Sequence, residues 1–283
     1  MSADLGALIE DLAVETAALR VILGPLADAD WQLPTPAPGW TIADQVSHLA
    51  YFDEMAMTSA TEPDAFATKV TQLIASGTMD ADVIAAQYRH LTPAELSDWF
   101  DRAREQLLAV FGGLAPAVRV PWFGPPMSVA SAMTARLMET WAHGQDIADT
   151  LGVLREPTDR LRHVAHIGVG ARAFSYVARG LPVPSEPVRV ELVAPSGELW
   201  TWGPEGVADF VTGPALDFCL LVTQRRHRAD TAVSAQGPVA EQWLTIAQAF
   251  AGPPGAGREP GQFGAGTTRD ASPTTERTAK ESM

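Results

Sequence analysis

The segment from Arg136 to Asp149, RLMETWAHGQDIAD, constrains the fold of this chain more than any other stretch. It has the pattern of a helix, and Glu139 and His143 lie four residues apart within it. Because four residues make about one helical turn, both side chains leave the helix on the same face. A carboxylate and an imidazole so placed can bind one divalent ion if another helix supplies a further ligand. The sequence therefore predicts a metal site inside a helical bundle.

His48 is the predicted third ligand. The stretch TIADQVSHLAYFDEMAM begins with the capping hydroxyl of Thr41 and has Asp44 three residues later, which is close to a capping box. His48 then falls on the second turn of the predicted helix, with Asp44 one turn earlier on the same face. Asp44 either orients the imidazole as a hydrogen-bond acceptor or caps its own helix. A single histidine on an apolar face is more often a core residue, so the ligand role depends on His48 meeting Glu139 and His143.

Helical periodicity predicts four long amphipathic helices in the first half of the chain. They run from about Asp4 to Leu23, from Thr41 onward, from Thr92 onward and from about Val129 to Leu151. Two shorter helical pieces, Pro63 to Ser76 and Asp80 to Leu91, lie between the second and third long helices. This order predicts a four-helix bundle with one elaborated connection, and bundles build metal sites from inward-facing side chains of neighbouring helices.

The pattern changes in the second half of the chain. A helix is predicted in TDRLRHVAHIGVGARAFSYVARG, and the alternation in PVRVELVAPSGELWTWGP about a Pro-Ser-Gly turn predicts a hairpin. Two further helices are predicted in GPALDFCLLVTQRRHRAD and EQWLTIAQAFAG. We therefore expect a bundle domain over residues 1–156, an α+β domain over 157–252, and a polar, glycine-rich disordered tail over 253–283.

Composition limits the classes of partner. The formal net charge of −14 disfavours binding to nucleic acid or to anionic membranes. No apolar run approaches the length of a membrane span, and the N-terminus has the pattern of an amphipathic helix rather than a signal peptide. The single cysteine, Cys219, allows no internal disulfide. We expect a cytoplasmic protein, a monomer or a homodimer, that acts on small molecules.

Two other groups of residues have a spacing or a charge that is typical of metal binding or of anion binding. His163 and His166 are three residues apart, but they lie beyond the expected domain boundary and are predicted to be ordinary helix residues. The basic cluster from Arg225 to Arg228 follows an apolar helix. It either terminates that helix by interacting with the helix dipole, or it binds a carboxylate through a guanidinium fork.

Three stretches of the chain resemble the mycothiol-dependent maleylpyruvate isomerase family: PGWTIADQVSHLA, VPWFGPPMSVASAMTARLMETWAHGQDIADTLG and, more loosely, GPALDFCLLVTQRR. The resemblance implies an all-α, DinB-like four-helix bundle with up-down-down-up topology, followed by a smaller α+β domain. It also implies that His48, Glu139 and His143 bind Zn²⁺ or another divalent metal, and that mycothiol is the thiol partner. By the same resemblance Arg225 is the catalytic arginine, and Arg226 is the next best match.

The chemistry that follows from such a site is thiol activation. A zinc ion held by two neutral imidazoles and one carboxylate keeps an open position, where a bound thiol loses its proton near neutral pH. Addition of the thiolate to an activated double bond, rotation and elimination would give cis–trans isomerisation, with Arg225 holding a substrate carboxylate and stabilising the enolate. An epoxide or halide substrate would instead give a thiol transferase.

Two alternatives to thiol chemistry remain open from the sequence. One is a metal-dependent hydrolase that uses metal-bound water, with Asp146 as the local candidate for the general base. The other is a non-catalytic protein whose α+β domain binds a lipid or another small molecule while the metal is structural. A structural zinc site commonly has four protein ligands, often cysteines, and the single cysteine, Cys219, lies far in sequence from the predicted ligands, which disfavours that alternative.

Overall fold

The computed structural model describes residues 4–263. The helices of its N-terminal part are α1 (Leu5–Leu23), α2 (Ile42–Thr61), α3 (Pro63–Ala75), α4 (Ala81–Ala86), α5 (Pro93–Gly112) and α6 (Val129–Leu151). Helices α1, α2, α5 and α6 pack together as a bundle, and α3 and α4 lie in the connection between α2 and α5. The predicted DinB-like bundle with one elaborated connection is therefore confirmed.

The starts of the bundle helices follow the predicted capping signals. Thr41 accepts a hydrogen bond from the backbone N–H of Asp44, and the Asp44 carboxylate accepts one from the backbone N–H of Thr41. Thr92 and Glu95 form the same reciprocal arrangement at the start of α5. Ser128 caps α6 through the backbone N–H of Ser131. These caps satisfy backbone donors that a helix start otherwise leaves unpaired.

A short antiparallel hairpin precedes α6. It consists of β1 (Arg119–Val120) and β2 (Met127–Ser128). The sequence predicts only a rigid loop here, because prolines and glycine in this segment hide the two short strands. The hairpin brings Trp122 and Phe123 back against α2 and α3.

The C-terminal part contains a small mixed sheet and further helices. Its elements are α7 (Leu161–Gly170), α8 (Arg172–Val177), β3 (Val188–Val193), β4 (Leu199–Trp202), β5 (Asp209–Pro214), α9 (Ala215–Val222), β6 (Ser234–Gln236) and α10 (Pro238–Ile246). The strand order is β4-β3-β5-β6, with β3 and β5 parallel and the other pairs antiparallel. The predicted hairpin is the β3–β4 pair, whereas β5 and β6 were not predicted.

The predicted C-terminal helices are interrupted or end earlier than the sequence predicts, and α10, which ends at Ile246, stops before the end of the stretch EQWLTIAQAFAG. The predicted helix that starts near residue 158 is interrupted at Ala171, which separates α7 from α8. Helix α9 ends at Val222, and Gln224 has a left-handed φ of 59°. The basic cluster from Arg225 to Arg228 therefore lies in the connection after α9, not in its last turn. The expectation that the cluster terminates the helix through the helix dipole is wrong.

The first residues of the predicted disordered tail belong to the part of the chain that the structure describes. Residues 253–263 contact the rest of the protein, because Arg258 donates to a buried aspartate of α6 and Phe263 packs on an arginine guanidinium. The disordered tail over residues 253–283 stays a prediction. Residues 264–283 lie outside the part of the chain that the structure describes.

One apolar cluster runs through both halves of the protein. It includes Leu8 of α1, Leu137 of α6, Val190 of β3, Phe218 of α9 and Trp243 of α10. The predicted domain boundary after residue 156 falls in the connection between α6 and α7, and it stays a prediction. Within residues 4–263, none of the helices combines the length and the apolar character that crossing a bilayer requires.

Candidate metal centre

The structure brings His48, Glu139 and His143 together. His48 projects from α2, while Glu139 and His143 project from one face of α6, and one ligand atom from each lies within 4.8 Å of the others. The Glu139 Oε2 atom is 3.6 Å from His48 Nε2 and 3.0 Å from His143 Nε2. Two ligands about 2.0–2.1 Å from one tetrahedral zinc ion lie about 3.3 Å apart, so this donor set fits such an ion.

The three side chains are mostly buried but not sealed. Their exposed fractions are 12% for His48, 20% for Glu139 and 10% for His143. Glu139 thus keeps the most contact with solvent. A site with three protein ligands and some exposure leaves room for a further ligand from solution, which is typical of catalytic rather than structural zinc sites.

The electrostatics of the site favour neutral imidazole beside ionised carboxylate. Burial, with a smaller effect of His143, lowers the pKa of His48 to about 4. Burial alone would raise the pKa of Glu139, but its close contacts with the His143 and His48 imidazoles outweigh burial and hold this pKa well below its usual value. Metal ligands must be deprotonated, and these directions match that requirement near neutral pH.

A chain of hydrogen bonds sets the tautomer of His143. The Thr35 hydroxyl donates to the backbone carbonyl of Trp40 at 3.0 Å, and the Gln45 amide nitrogen donates to Thr35 Oγ1 at 2.9 Å. Gln45 Oε1 therefore faces His143 Nδ1 as an acceptor. This series of hydrogen bonds ends on the Trp40 carbonyl, which can only accept, so the donor and the acceptor of each bond are determined. Nδ1 of His143 therefore carries the proton. The lone pair of Nε2 is left for a metal.

Gln45 and Thr35 were not predicted as site residues. The available signal was the position of Gln45 three residues before His48, which places it on a neighbouring part of the same helix face. The contact with His143 spans 98 residues of sequence, so it requires the packing of α2 against α6. Sequence periodicity does not report such packing.

Asp44 does not orient His48. Its Oδ2 atom accepts from the backbone and the hydroxyl of Thr41, and both carboxylate oxygens accept from Arg89 at 2.9 and 3.0 Å. Of the two roles considered for Asp44, the structure places it in the helix cap. His48 Nδ1 is buried and has no hydrogen-bond partner among the described residues.

Aromatic rings form one wall of the site. The Trp40 ring lies parallel to the His143 ring, with centroids 5.8 Å apart, and the Phe52 ring lies 4.6 Å from that of His48. Phe123 extends this wall, with its ring centroid 5.6 Å from that of Phe52. These rings limit the rotation of the imidazoles and keep water from the sides of the site.

A buried charge network joins the four bundle helices next to the site. Asp53 of α2 lies 2.7 Å from Arg104 Nε of α5 and 3.0 Å from Arg136 Nε of α6. Arg104 also donates to Thr16 of α1 and to Thr140 of α6. Arg136 lies one turn before Glu139, and Asp53 lies five residues after His48. The network therefore holds α2 and α6 in the register that aligns the metal-site residues.

Arg225, the predicted catalytic residue, pairs with α6. Its NH2 group lies 2.8 Å from Oδ2 of Asp146, three residues after His143, and its Nε is buried without an acceptor in the described chain. Arg226 binds Asp149 in a bidentate pair with distances of 2.7 and 2.8 Å. Both arginines thus connect the C-terminal part to the helix that carries two metal-site residues.

Asp146 is poorly placed as a general base. It is fully buried, with Oδ2 paired to Arg225 and Oδ1 paired to Arg258 at 2.6 Å. Both carboxylate oxygens are thus occupied by guanidinium donors, whereas a general base needs an oxygen that can reach a proton of the reacting group. The hydrolase alternative therefore loses the base that the sequence indicated.

The other two predicted helix histidines have local roles. His163 lies 2.8 Å from a carboxylate oxygen of Asp11, and His166 accepts a hydrogen bond from Trp202 at 3.2 Å. Neither belongs to a group of possible metal ligands in the part of the chain that the structure describes.

The fold and the site together define a helical-bundle protein with a candidate metal centre of two histidines and one glutamate. The model of the mycothiol maleylpyruvate isomerase N-terminal domain matches residues 12–148. The chain belongs to the mycothiol-dependent maleylpyruvate isomerase family, as its motifs indicated. A second family model, described as wyosine base formation, matches residues 184–236, which contain the four strands of the C-terminal sheet.

The chain is also similar to curated proteins and to solved structures. Two uncharacterized Mycobacterium tuberculosis proteins, from two strains, are each 49% identical over 260 residues, covering 90% of this chain and 100% of the relative. Crystal structures of the mycothiol-dependent maleylpyruvate isomerase and of a histidine-to-alanine mutant of it share the fold, with a TM-score of 0.53. Each is 16% identical and covers 83% of this chain and 95% of the solved chain.

Proposed function

We propose that this protein is a metal-dependent, thiol-linked isomerase or transferase that uses mycothiol. The observation that carries the proposal is the meeting of His48 from α2 with Glu139 and His143 from α6, with donor atoms at spacings that fit one divalent ion. Membership of the mycothiol-dependent family supports the choice of thiol. The substrate would be a small electrophile, with or without a carboxylate.

A zinc-like ion bound at this site would lower the pKa of a thiol so that its thiolate is the nucleophile near neutral pH. His48, Glu139 and His143 would hold the ion, and Gln45 keeps Nε2 of His143 free to bind. The net charge of two neutral imidazoles and one carboxylate leaves the ion positive, which favours an anionic sulfur ligand.

The protein's own cysteine does not supply the thiol. Cys219 is fully buried in α9, where its Sγ donates to the backbone carbonyl of Leu161 at 3.4 Å. Burial raises the pKa of Cys219 well above its usual value, so the thiolate form is rare near neutral pH. Thiol chemistry at the metal centre therefore needs a low-molecular-weight thiol from solution.

Arg225 is the proposed contact for a substrate carboxylate. The Arg225 guanidinium is held by Asp146, which lies three residues after His143 on α6. Its Nε donor has no acceptor among residues 4–263. A guanidinium held in place by one carboxylate can still donate to a second one. An addition step that places negative charge on the substrate would be stabilised by such a donor.

Replacement of His48 tests the ligand set. We expect His48→Ala to lower the metal content of the purified protein from about one equivalent to a small fraction, because two ligands bind a divalent ion much less tightly than three. His90→Ala is the matched control, since His90 is exposed and makes only a local contact with the backbone carbonyl of Gln87. Unchanged metal content in His48→Ala would show that the proposed ligand set is wrong.

The thiol is tested on the cobalt-substituted protein. Titration with mycothiol should produce a thiolate-to-cobalt charge-transfer band in the wild-type protein and in His90→Ala, but not in His48→Ala. Maleylpyruvate then serves as the first substrate probe, with isomerisation followed in the presence and absence of mycothiol. A metal-loaded protein whose cobalt spectrum does not respond to mycothiol would contradict the thiol-linked function.

A further inference from the structure

An arginine-rich pocket of about 300 Å³ lies in the C-terminal part of the protein. It is bordered by the connection after α9, by the end of α10 and by the segment at residues 255–258. Its basic lining residues are Arg179, Arg226, His227, Arg228 and Arg258. None of its lining residues comes from α2 or α6, so it is separate from the metal centre.

Positive charge exceeds negative charge around this pocket. Arg226 is matched by Asp149 and Arg228 by Glu241, whose carboxylate oxygen lies 2.6 Å from the Arg228 NH2 group. Arg258 shares the single carboxylate of Asp146 with a second arginine. The two arginines that share Asp146 carry two positive charges against one negative charge, so one positive charge stays without a matching carboxylate.

Arg179 adds a second uncompensated charge. Its NH1 group contacts only neutral acceptors, the backbone carbonyl of Ser175 at 3.2 Å and Oε1 of Gln248 at 3.4 Å. No carboxylate lies within ion-pair distance of Arg179 in the described chain. A partly buried guanidinium with weak neutral partners gains most from an anion that enters the pocket. This local excess of positive charge contrasts with the net charge of −14 of the whole chain.

Two further donors line the same pocket. His227 Nδ1 accepts a hydrogen bond from the backbone N–H of Ala229, so a neutral His227 carries its proton on Nε2 and can donate it. The side chain of Arg258 is only 8% exposed, and its buried Nε has no acceptor among residues 4–263. Unpaired buried donors are uncommon in folded proteins, and an absent ligand is one explanation of them.

We propose that this pocket binds a small dianionic ligand, such as a phosphate ester or a dicarboxylate. Arg179 and His227 contact the anion directly, while Arg226 and Arg258, held by Asp149 and Asp146, supply the surrounding positive potential. The volume admits a compact metabolite rather than a polymer. The site does not depend on the proposed thiol chemistry, because it shares no lining residue with the metal centre.

Calorimetric titration of the full chain with two probes tests the proposal. Inorganic phosphate and succinate, which are both mainly dianions at pH 8, are titrated separately at that pH and low ionic strength, and at least one should bind saturably with a stoichiometry of one. Binding of phosphate alone assigns the pocket to phosphate esters, and binding of succinate alone assigns it to dicarboxylates. Binding of both assigns it to small dianions in general.

Arg179→Gln should weaken this binding by about ten-fold or more, because it removes a charge-assisted hydrogen bond. Arg102→Gln is the matched control: Arg102 is exposed on α5, outside the pocket, and its replacement changes the net charge equally. His227→Gln is a second pocket variant, used if the thermal unfolding of Arg179→Gln shows a damaged fold. The proposal is overturned if the wild-type protein binds neither probe, or if Arg102→Gln weakens binding as much as the pocket variants.

Discussion

Gln45 decides which nitrogen of His143 is available to a metal. Its amide is fixed by Thr35, and Thr35 is fixed by a backbone carbonyl, so the acceptor oxygen is held against Nδ1. The sequence alone predicted His48, Glu139 and His143 as a group, because residue type and helical spacing carry that information. It did not predict Gln45, because an amide contact between two helices depends on their rotation about their own axes.

Gln45→Ala should lower the affinity for a divalent metal by about 10- to 100-fold, which is the usual effect of losing the residue that orients a ligand. Gln45→Glu should restore most of the affinity, since a carboxylate also accepts from Nδ1. Competition with a chromogenic chelator measures both, and Gln72→Ala on the exposed face of α3 is the control. Equal affinity in wild type and Gln45→Ala would contradict the orienting role.

At the scale of single elements, local signals predicted where helices begin better than where they end. Thr41, Thr92 and Ser128 each cap the helix that the sequence indicated, because the capping contacts lie within three residues. The predicted end of α9 was wrong because Gln224, which has a left-handed backbone conformation, turns the chain where the sequence has no glycine or proline to indicate a turn. Strands β5 and β6 were missed because a short strand is defined mainly by its partners.

Asp44 allows the capping function to be separated from metal binding. Asp44→Ala removes the reciprocal cap at the start of α2 and the acceptor for Arg89, so it should lower the free energy of unfolding by about 1–2 kcal/mol. Metal stoichiometry should not change, because the Asp44 carboxylate does not contact His48. Urea unfolding and metal analysis of the same preparation measure the two effects. Loss of metal with unchanged stability would reverse this assignment.

At the scale of the whole molecule, α6 joins the two halves of the chain. Its metal-facing residues are followed within two turns by Asp146 and Asp149, which hold three arginines of the C-terminal part. The shared apolar cluster follows the same path from α1 and α6 into α9. The order of domains and the bundle could be predicted from periodicity. The arginine partners could not, because they are 77 to 112 residues away in sequence.

Asp146→Ala tests this connection. The change leaves two largely buried guanidinium groups without their carboxylate, so we expect a loss of about 3–5 kcal/mol in the free energy of unfolding. Asp101→Ala, which breaks an exposed pair with Arg20, should cost about 1 kcal/mol or less. Denaturant titration of both variants provides the comparison. Similar losses in the two variants would mean that Asp146 does not link the halves.

The carboxylates of Asp146 and Asp149, on the last turns of α6, also affect where the protein can be truncated. The segment matched by the N-terminal family model stops at residue 148, one position before Asp149. A fragment cut there, or shortly after, would present Asp146 to solvent without Arg225 and Arg258 and would uncover the apolar side of the same helix. The bundle that contains the candidate metal centre thus shares buried contacts with the C-terminal part, and its last helix is completed by the chain that follows it.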